Sequence, residues 1–230
     1  MATSGTYTFN PSLGELVLYA YNLIGVRNTA IMQEHLEAAR MASNMLLSNW
    51  SNRGVNLWAV DLVTEPLVQG QATYDVDANT VVMLDAYVTI DNGVDQPIDR
   101  IILPISRSEY ASYPNKETEG FTTTFWFDRL LSPTVTLWPV PDGTSAQYLK
   151  YYRVKQLQDA TLQSGTQVEI PYLWMDAFSY ALALRLSQIW NPQFIQILKP
   201  LADEAYQIAA DQNIETAQQY ISPVISGYFR

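Results

Sequence analysis

The sequence predicts an α+β fold in which helices from both ends of the chain form one bundle, with an antiparallel β-sandwich or barrel inserted between them. Three observations carry this. Apolar side chains recur at helical spacing over residues 12–54 and again over 171–217. Between them, from about Leu57, the period falls to 2, and Val, Ile, Thr and aromatic residues gather in seven short segments. Neither helical region can bury its stripe alone, so the two are expected to pack together. The expected division is an arm over 1–11, a bundle from 12–56 plus 158–217, an inserted β domain over 57–157 and a tail over 218–230.

The first helix starts at Ser12-Leu13-Gly14-Glu15, which has capping-box spacing. Leu16, Tyr19 and Leu23 follow as its stripe, and Gly25 is a natural left-handed stop. A second helix is expected from Asn28 or Thr29, with Met32, Leu36, Ala39, Ser43, Leu46 and Trp50 on one stripe and Gly54 at its end. A loop this short predicts an antiparallel helix hairpin.

Strands are expected near 58–68, 72–76, 80–90, 97–105, 121–130, 134–140 and 146–155, with Ser106–Ser112 a short helix among them. Asn92-Gly93 and Asp142-Gly143 read as hairpin turns, because a type I′ turn needs positive φ at both central residues. Pro66, Pro97, Pro104, Pro133, Pro139 and Pro141 punctuate the strands and predict edges or irregularities. Helical spacing returns at Pro171, with Trp174, Ala177, Ala181, Leu184 and Gln188 in line and Phe178 and Leu182 widening the face. Asn191-Pro192 ends that helix and starts the next, with Asn191 as its cap. Pro200 is expected to break or kink the last helix, whose stripe continues as Leu201, Ala205, Ile208 and Gln212.

Composition narrows the function. The 230 residues include 13 Lys and Arg against 23 Asp and Glu, a net charge of −10, no cysteine and one histidine. That removes disulfides, thiolate metal sites, Cys nucleophiles and multi-His metal sites within one chain. The acidic balance argues against gripping nucleic acid through its phosphates. No uncharged run is long enough to span a membrane, and the N-terminus predicts no secretory leader. Fifteen Tyr, six Trp and seven Phe beside so few charges suit a surface partly covered by other protein, or a large ordinary core.

Little of the chain points to chemistry. Its ten glycines are never closer than nine residues apart, so no phosphate-cradling loop is present. His35, in Glu34-His35-Leu36-Glu37, reads as a surface or interface residue; a triad role would need a nucleophile turn that the sequence lacks. Asp91-Asn92-Gly93-Val94-Asp95 lacks the sixth-position glycine and closing Glu of a calcium loop. No cofactor is expected. Two distributions stand out. No Lys or Arg lies between Arg53 and Arg100, yet Asp61, Glu65, Asp75, Asp77, Asp85, Asp91, Asp95 and Asp99 all do. They form either a solvated sheet face or a surface that must not hold a polyanion. In the tail, Tyr220, Ile221, Val224, Ile225, Tyr228 and Phe229 continue no helical period, so they wrap the domain or bind a partner.

Three stretches resemble the head-to-tail adaptor proteins of bacteriophages. Leu18-Tyr19-Ala20-Tyr21-Asn22-Leu23-Ile24-Gly25-Val26, with Leu46-Leu47-Ser48-Asn49-Trp50 and Gly54-Val55-Asn56-Leu57-Trp58, is similar to their opening helices. Leu137-Trp138-Pro139-Val140-Pro141-Asp142 leading to Tyr148-Leu149-Lys150-Tyr151-Tyr152-Arg153 is similar to their late β-hairpin. Ile170-Pro171-Tyr172-Leu173-Trp174 with Ala181-Leu182-Ala183-Leu184-Arg185-Leu186 is similar to the helix that follows. Together they cover about half the chain and leave out roughly 59–130. The resemblance implies a structural virion protein at the head–tail junction, assembled in the host cytoplasm. It would be a homo-oligomeric ring, a dodecamer, that binds the portal protein, extends the DNA channel without binding DNA specifically, and receives tail nozzle or fibre proteins. Under it the tail residues become partner-binding and the acidic run channel-facing. A virion glycan or peptidoglycan hydrolase using paired carboxylates, or a carbohydrate-binding module, is the alternative.

Overall fold

The computed structural model describes residues 5–6, 8–54, 56–91, 93, 96–163 and 165–214. Five α-helices flank and punctuate a seven-stranded sheet, in the order helices, strands, helices. Helix α1 (Leu13–Leu23) begins with the expected capping box: the Ser12 N–H donates to Glu15 Oε2 at 2.8 Å, and the Glu15 N–H donates to Ser12 Oγ at 3.4 Å. It ends at Gly25, where φ is 77° and the Val26 N–H reaches back to the Tyr21 carbonyl at 3.0 Å. The buried face is Leu13, Leu16, Val17, Ala20 and Tyr21, while Tyr19, expected in the stripe, is exposed.

Helix α2 (Gln33–Ser51) starts later than expected, because Asn28–Ala30 form a separate 3₁₀ turn. It buries Ala39, Ser43, Leu46 and Trp50 as expected, but Met32 is exposed. The expected α1–α2 hairpin makes limited direct contact, where Tyr21 meets His35, and each helix packs mainly on α4 (Met175–Trp190), which also carries α5 (Ile195–Asp211). Asn191 does not cap the final helix; its side-chain amide donates to the Ile24 carbonyl at 2.9 Å and so caps α1. Helix α5 runs through Pro200 and buries Leu198, Ala202 and Ala209. Leu201 and Ile208, expected in its core stripe, are exposed; Ile208 is 63% accessible.

The strands are β1 (Val60–Pro66), β2 (Thr73–Asp75), β3 (Thr80–Asp91), β4 (Ile98–Pro104), β5 (Thr124–Asp128), β6 (Thr134–Trp138) and β7 (Ala146–Lys155). Helix α3 (Arg107–Ser112) lies between β4 and β5, capped by Ser106. The sheet order is β1-β7-β3-β4-β5-β6-β2, a single curled sheet resembling half a barrel, and β4–β5 is its parallel pair. The curl follows from chain length. Strands β1 and β2 occupy opposite edges yet are joined by residues 67–72 alone. A flat sheet of that order would hold its edges about 29 Å apart, whereas the connection reaches about 25 Å at full extension. Curling brings the edges close enough for the Tyr74 hydroxyl to donate to the Val68 carbonyl at 3.1 Å.

Strands β3 and β4 pair antiparallel, with more than two residues of sequence between Asp91 and Ile98; Asn92 of the expected turn lies outside the described residues. Asp142-Gly143 does not join a hairpin, because β6 pairs with β5 and β2 while β7 pairs with β1 and β3. That segment crosses from one half of the sheet to the other. Gly143 is needed there twice over: its φ is 69°, and a Cβ would sit 2.7 Å from Gln69 Oε1.

Two apolar cores result. One joins the helices to the sheet end through Ala59, Val154 and Leu157, with Val60, Val82 and Leu84 packed against it. The other fills the concave side of the sheet with Tyr74, Val88, Ile102, Phe125, Leu137, Leu149 and Tyr151. No helix among the described residues is long and apolar enough to cross a membrane.

Candidate functional site

The single histidine is a structural joint. His35 Nδ1 accepts the Met32 N–H at 3.3 Å, which satisfies a free donor at the start of α2. Its ring stacks on Trp190 with centroids 4.0 Å apart and meets the edge of Tyr21. The Tyr21 hydroxyl donates to the His35 carbonyl at 2.6 Å, and burial pushes that phenol up to about 12. His35 thus ties α1, α2 and α4 together, and no Ser or Thr hydroxyl is hydrogen-bonded to its ring among the described residues. Nor is there, among those residues, a group of three His, Asp or Glu placed to hold a metal ion.

The acidic run divides when it folds. Asp61 and Glu65 lie on β1 at alternate positions that share the concave side with Val63. Asp61 and Asp77 together hold Arg153, at 2.8 and 3.0 Å, and Arg153 also donates to Thr80 Oγ1 at 3.0 Å. This cluster pins the β1 edge and the β2–β3 connection to β7. Asp75 is exposed on the edge strand β2, and Asp91 accepts the Gly93 N–H at 2.8 Å at the end of β3. Asp85 and Asp99 are exposed on the convex side, where Asp99 accepts from Thr89 Oγ1 at 2.6 Å. Asp95 lies outside the described residues. The register of each strand sets the face its acids present, which a list of acids does not show.

The Arg153 cluster makes two predictions. Arg153→Met leaves two carboxylates facing each other without a cation and is expected to lower the unfolding free energy by about 1–3 kcal/mol, read by chemical denaturation. Asp77 is held below its ordinary range first by the Asn79 N–H and then by Arg153. The unfolded chain therefore takes up this proton at higher pH than the folded one. Its stabilisation is complete above the usual carboxylate range and is lost as pH falls through the folded value. An acid titration of the melting temperature should be shallower in Asp77→Asn.

What the surface does offer is unpartnered apolar area. On α5, Ile197, Leu201 and Ile208 are exposed along one side; on the convex sheet face, Leu62, Ile101 and Leu103 are exposed. A polar groove between α2, α4 and α5 holds Arg53, stacked over Tyr206 at 4.7 Å, and Arg185, whose guanidinium burial and Arg53 push down from its usual range. A second, apolar pocket of about 540 Å³ opens where the N-terminal arm meets α1 and α4. Leu16 and Met175 form its floor, Phe9, Tyr19, Tyr172 and Leu173 its walls, and Glu15 and Asp176 stand at its edge. Phe9 meets Tyr172 edge-on at 6.2 Å. The sequence reading missed this pocket, since its lining comes from three distant segments. It also missed the β5–β6 tip, where two leucines occupy turn positions that ordinarily take polar residues.

The tail residues Tyr220, Ile221, Val224, Ile225, Tyr228 and Phe229 lie outside the described residues. The family described as SU10 adaptor protein matches the chain over residues 26–226, a stretch that takes in the sheet core, the helical core apart from α1, and the first four of those tail residues. No protein with a curated description matches it.

Proposed function

Because the chain belongs to the SU10 adaptor protein family, a family of phage adaptors, we propose that it forms a closed ring of identical subunits, a dodecamer, beneath the portal of a phage head. The ring extends the DNA channel and gives tail nozzle or fibre proteins their platform at the head–tail junction of the virion. Assembly takes place in the host cytoplasm. The family match carries this reading. The exposed apolar residues on α5, the convex sheet face and the β5–β6 tip support it, because a ring subunit keeps such surface for its neighbours. The test is electron microscopy of the purified chain mixed with its own portal. A stoichiometric ring under the portal is the expected image; a portal that stays bare overturns the reading. A monomer in solution does not count against it, since the portal can template the ring.

Within that assembly the organisation is 12–56 plus 158–217 as the helical bundle, 57–157 as an inserted β domain, and 1–11 and 218–230 as arms that reach the portal or a neighbouring subunit. The two separate cores support the division. The acidic run is assigned to the channel. Lysine and arginine in a channel wall neutralise phosphates and release counterions, which holds DNA in place. Carboxylates do the reverse, at about 1 kcal/mol per pair a few ångströms apart in solvent, decaying over about 8 Å. That keeps DNA centred without blocking transit. In the assembled ring at least three of Asp61, Glu65, Asp75, Asp77, Asp85, Asp91, Asp95 and Asp99 are expected to face the axis. If all point outward, they serve solubility alone.

A further inference from the structure

Strands β5 and β6 are joined by Arg129-Leu130-Leu131-Ser132-Pro133. Leu130 is 60% accessible and Leu131 is 100% accessible. Two adjacent leucines standing in water at a projecting tip gain by any contact that removes them from it. Arg129 beside them is exposed and forms no ion pair among the described residues. The tip is therefore a small apolar plug with one unpaired positive charge at its base.

The pocket between the arm, α1 and α4 has the opposite character. It is concave and apolar, large enough for two leucine side chains, and bordered by the exposed carboxylates of Glu15 and Asp176 with no Lys or Arg in its lining. Neither tip leucine lines the pocket of its own chain. The flat convex strands that expose Ile101 and Leu103 cannot enter a concave site; a hairpin tip can.

We propose that the β5–β6 tip of one copy seats in the arm–α1–α4 pocket of the next copy, with Leu130 and Leu131 against Leu16 and Met175 and Arg129 against Glu15 and Asp176. This contact rests on the ring reading and names the surfaces that build it. A plug and a socket on different parts of one chain make a heterologous interface, which closes into a ring when the rotation per subunit fits. It also gives Phe9 a purpose, since the arm residue completes the pocket wall.

The assay is ring formation by the full chain on its own portal, imaged by electron microscopy with subunit stoichiometry from native mass spectrometry. Leu131→Asp is expected to weaken incorporation about tenfold or more. Arg129→Glu and Asp176→Lys are each expected to do the same, and the double variant, which restores opposite charges across the contact, to recover most of the loss. All three positions are exposed, so melting curves should match the unaltered chain. The native chain has no cysteine, which permits a second readout. Leu131→Cys with Leu173→Cys in one chain should oxidise in the ring to a covalent ladder, whereas each single variant stops at dimers. The contact is overturned by a ring that Leu131→Asp joins as well as the unaltered chain does, by a double charge variant no better than either single, or by a ring without the ladder. All three leave the ring reading standing. If the unaltered chain forms no ring, both fall.

Discussion

Trp50→Ala is expected to lower the unfolding free energy by about 3–5 kcal/mol. Trp50 is 2% accessible, and its ring meets Trp174 at 5.2 Å, Phe178 at 6.0 Å and Tyr206 at 6.0 Å. Trp174 in turn meets Trp58 at 4.8 Å and Tyr206 at 5.5 Å. One cluster thus joins α2, the start of α4, α5 and the turn that leads into β1. Its loss removes the transfer free energy of the indole and opens a cavity that four separate elements cannot close together. For a chain of this size each kcal/mol moves the melting temperature by about 2–4 °C, so calorimetry should show a fall of about 10 °C. A shift below about 3 °C would mean that the helices are held mainly by other contacts. Trp126, which stacks on Tyr110 away from this junction, serves as the control and should give a much smaller shift.

Deleting residues 218–230 is expected to leave the melting temperature within about 2 °C and to weaken portal attachment about a hundredfold or more. Ordering a dozen residues costs about 1 kcal/mol or more of backbone entropy each, so an arm of this length holds only if its aromatic and branched side chains are buried at an interface. Tyr220, Ile221, Val224, Ile225, Tyr228 and Phe229 are the side chains expected to supply that area, and the family match continues through residue 226. Truncation should therefore abolish rings on the portal while circular dichroism is unchanged. A truncated chain that unfolds would show instead that the tail belongs to the core.

The element order was legible because its signals are local. Ser12 with Glu15, and Ser106 with the Glu109 N–H at 3.1 Å, cap helices with atoms three residues apart, and alternation of Val, Ile and aromatics needs only the strand itself. The alternation even placed Ser106–Ser112 among strands. The candidate docking surfaces were far less legible. Their residues, from Phe9 to Asp176, are brought together by packing that no spacing in the chain records.

What the sequence determined by itself was which segments become helix or strand, that the chain carries few ligands for chemistry, and the resemblance through which its adaptor family could be named. What only the tertiary structure decided was partnership. Asp142-Gly143 has the residues of a hairpin turn, yet β6 and β7 separate because each finds its apolar neighbours on a different half of the curled sheet. The α5 stripe through Leu201 and Ile208 is as apolar as the face that was buried, but α4 covers Leu198, Ala202 and Ala209 instead. The seven described acids between Asp61 and Asp99 parted because they lie on different strands and connections, whose register sets the face each presents, and because Arg153, far along the chain, drew two of them to itself. Local signals act through a few bonds of backbone. Burial depends on what lies opposite, and that is set by the whole fold.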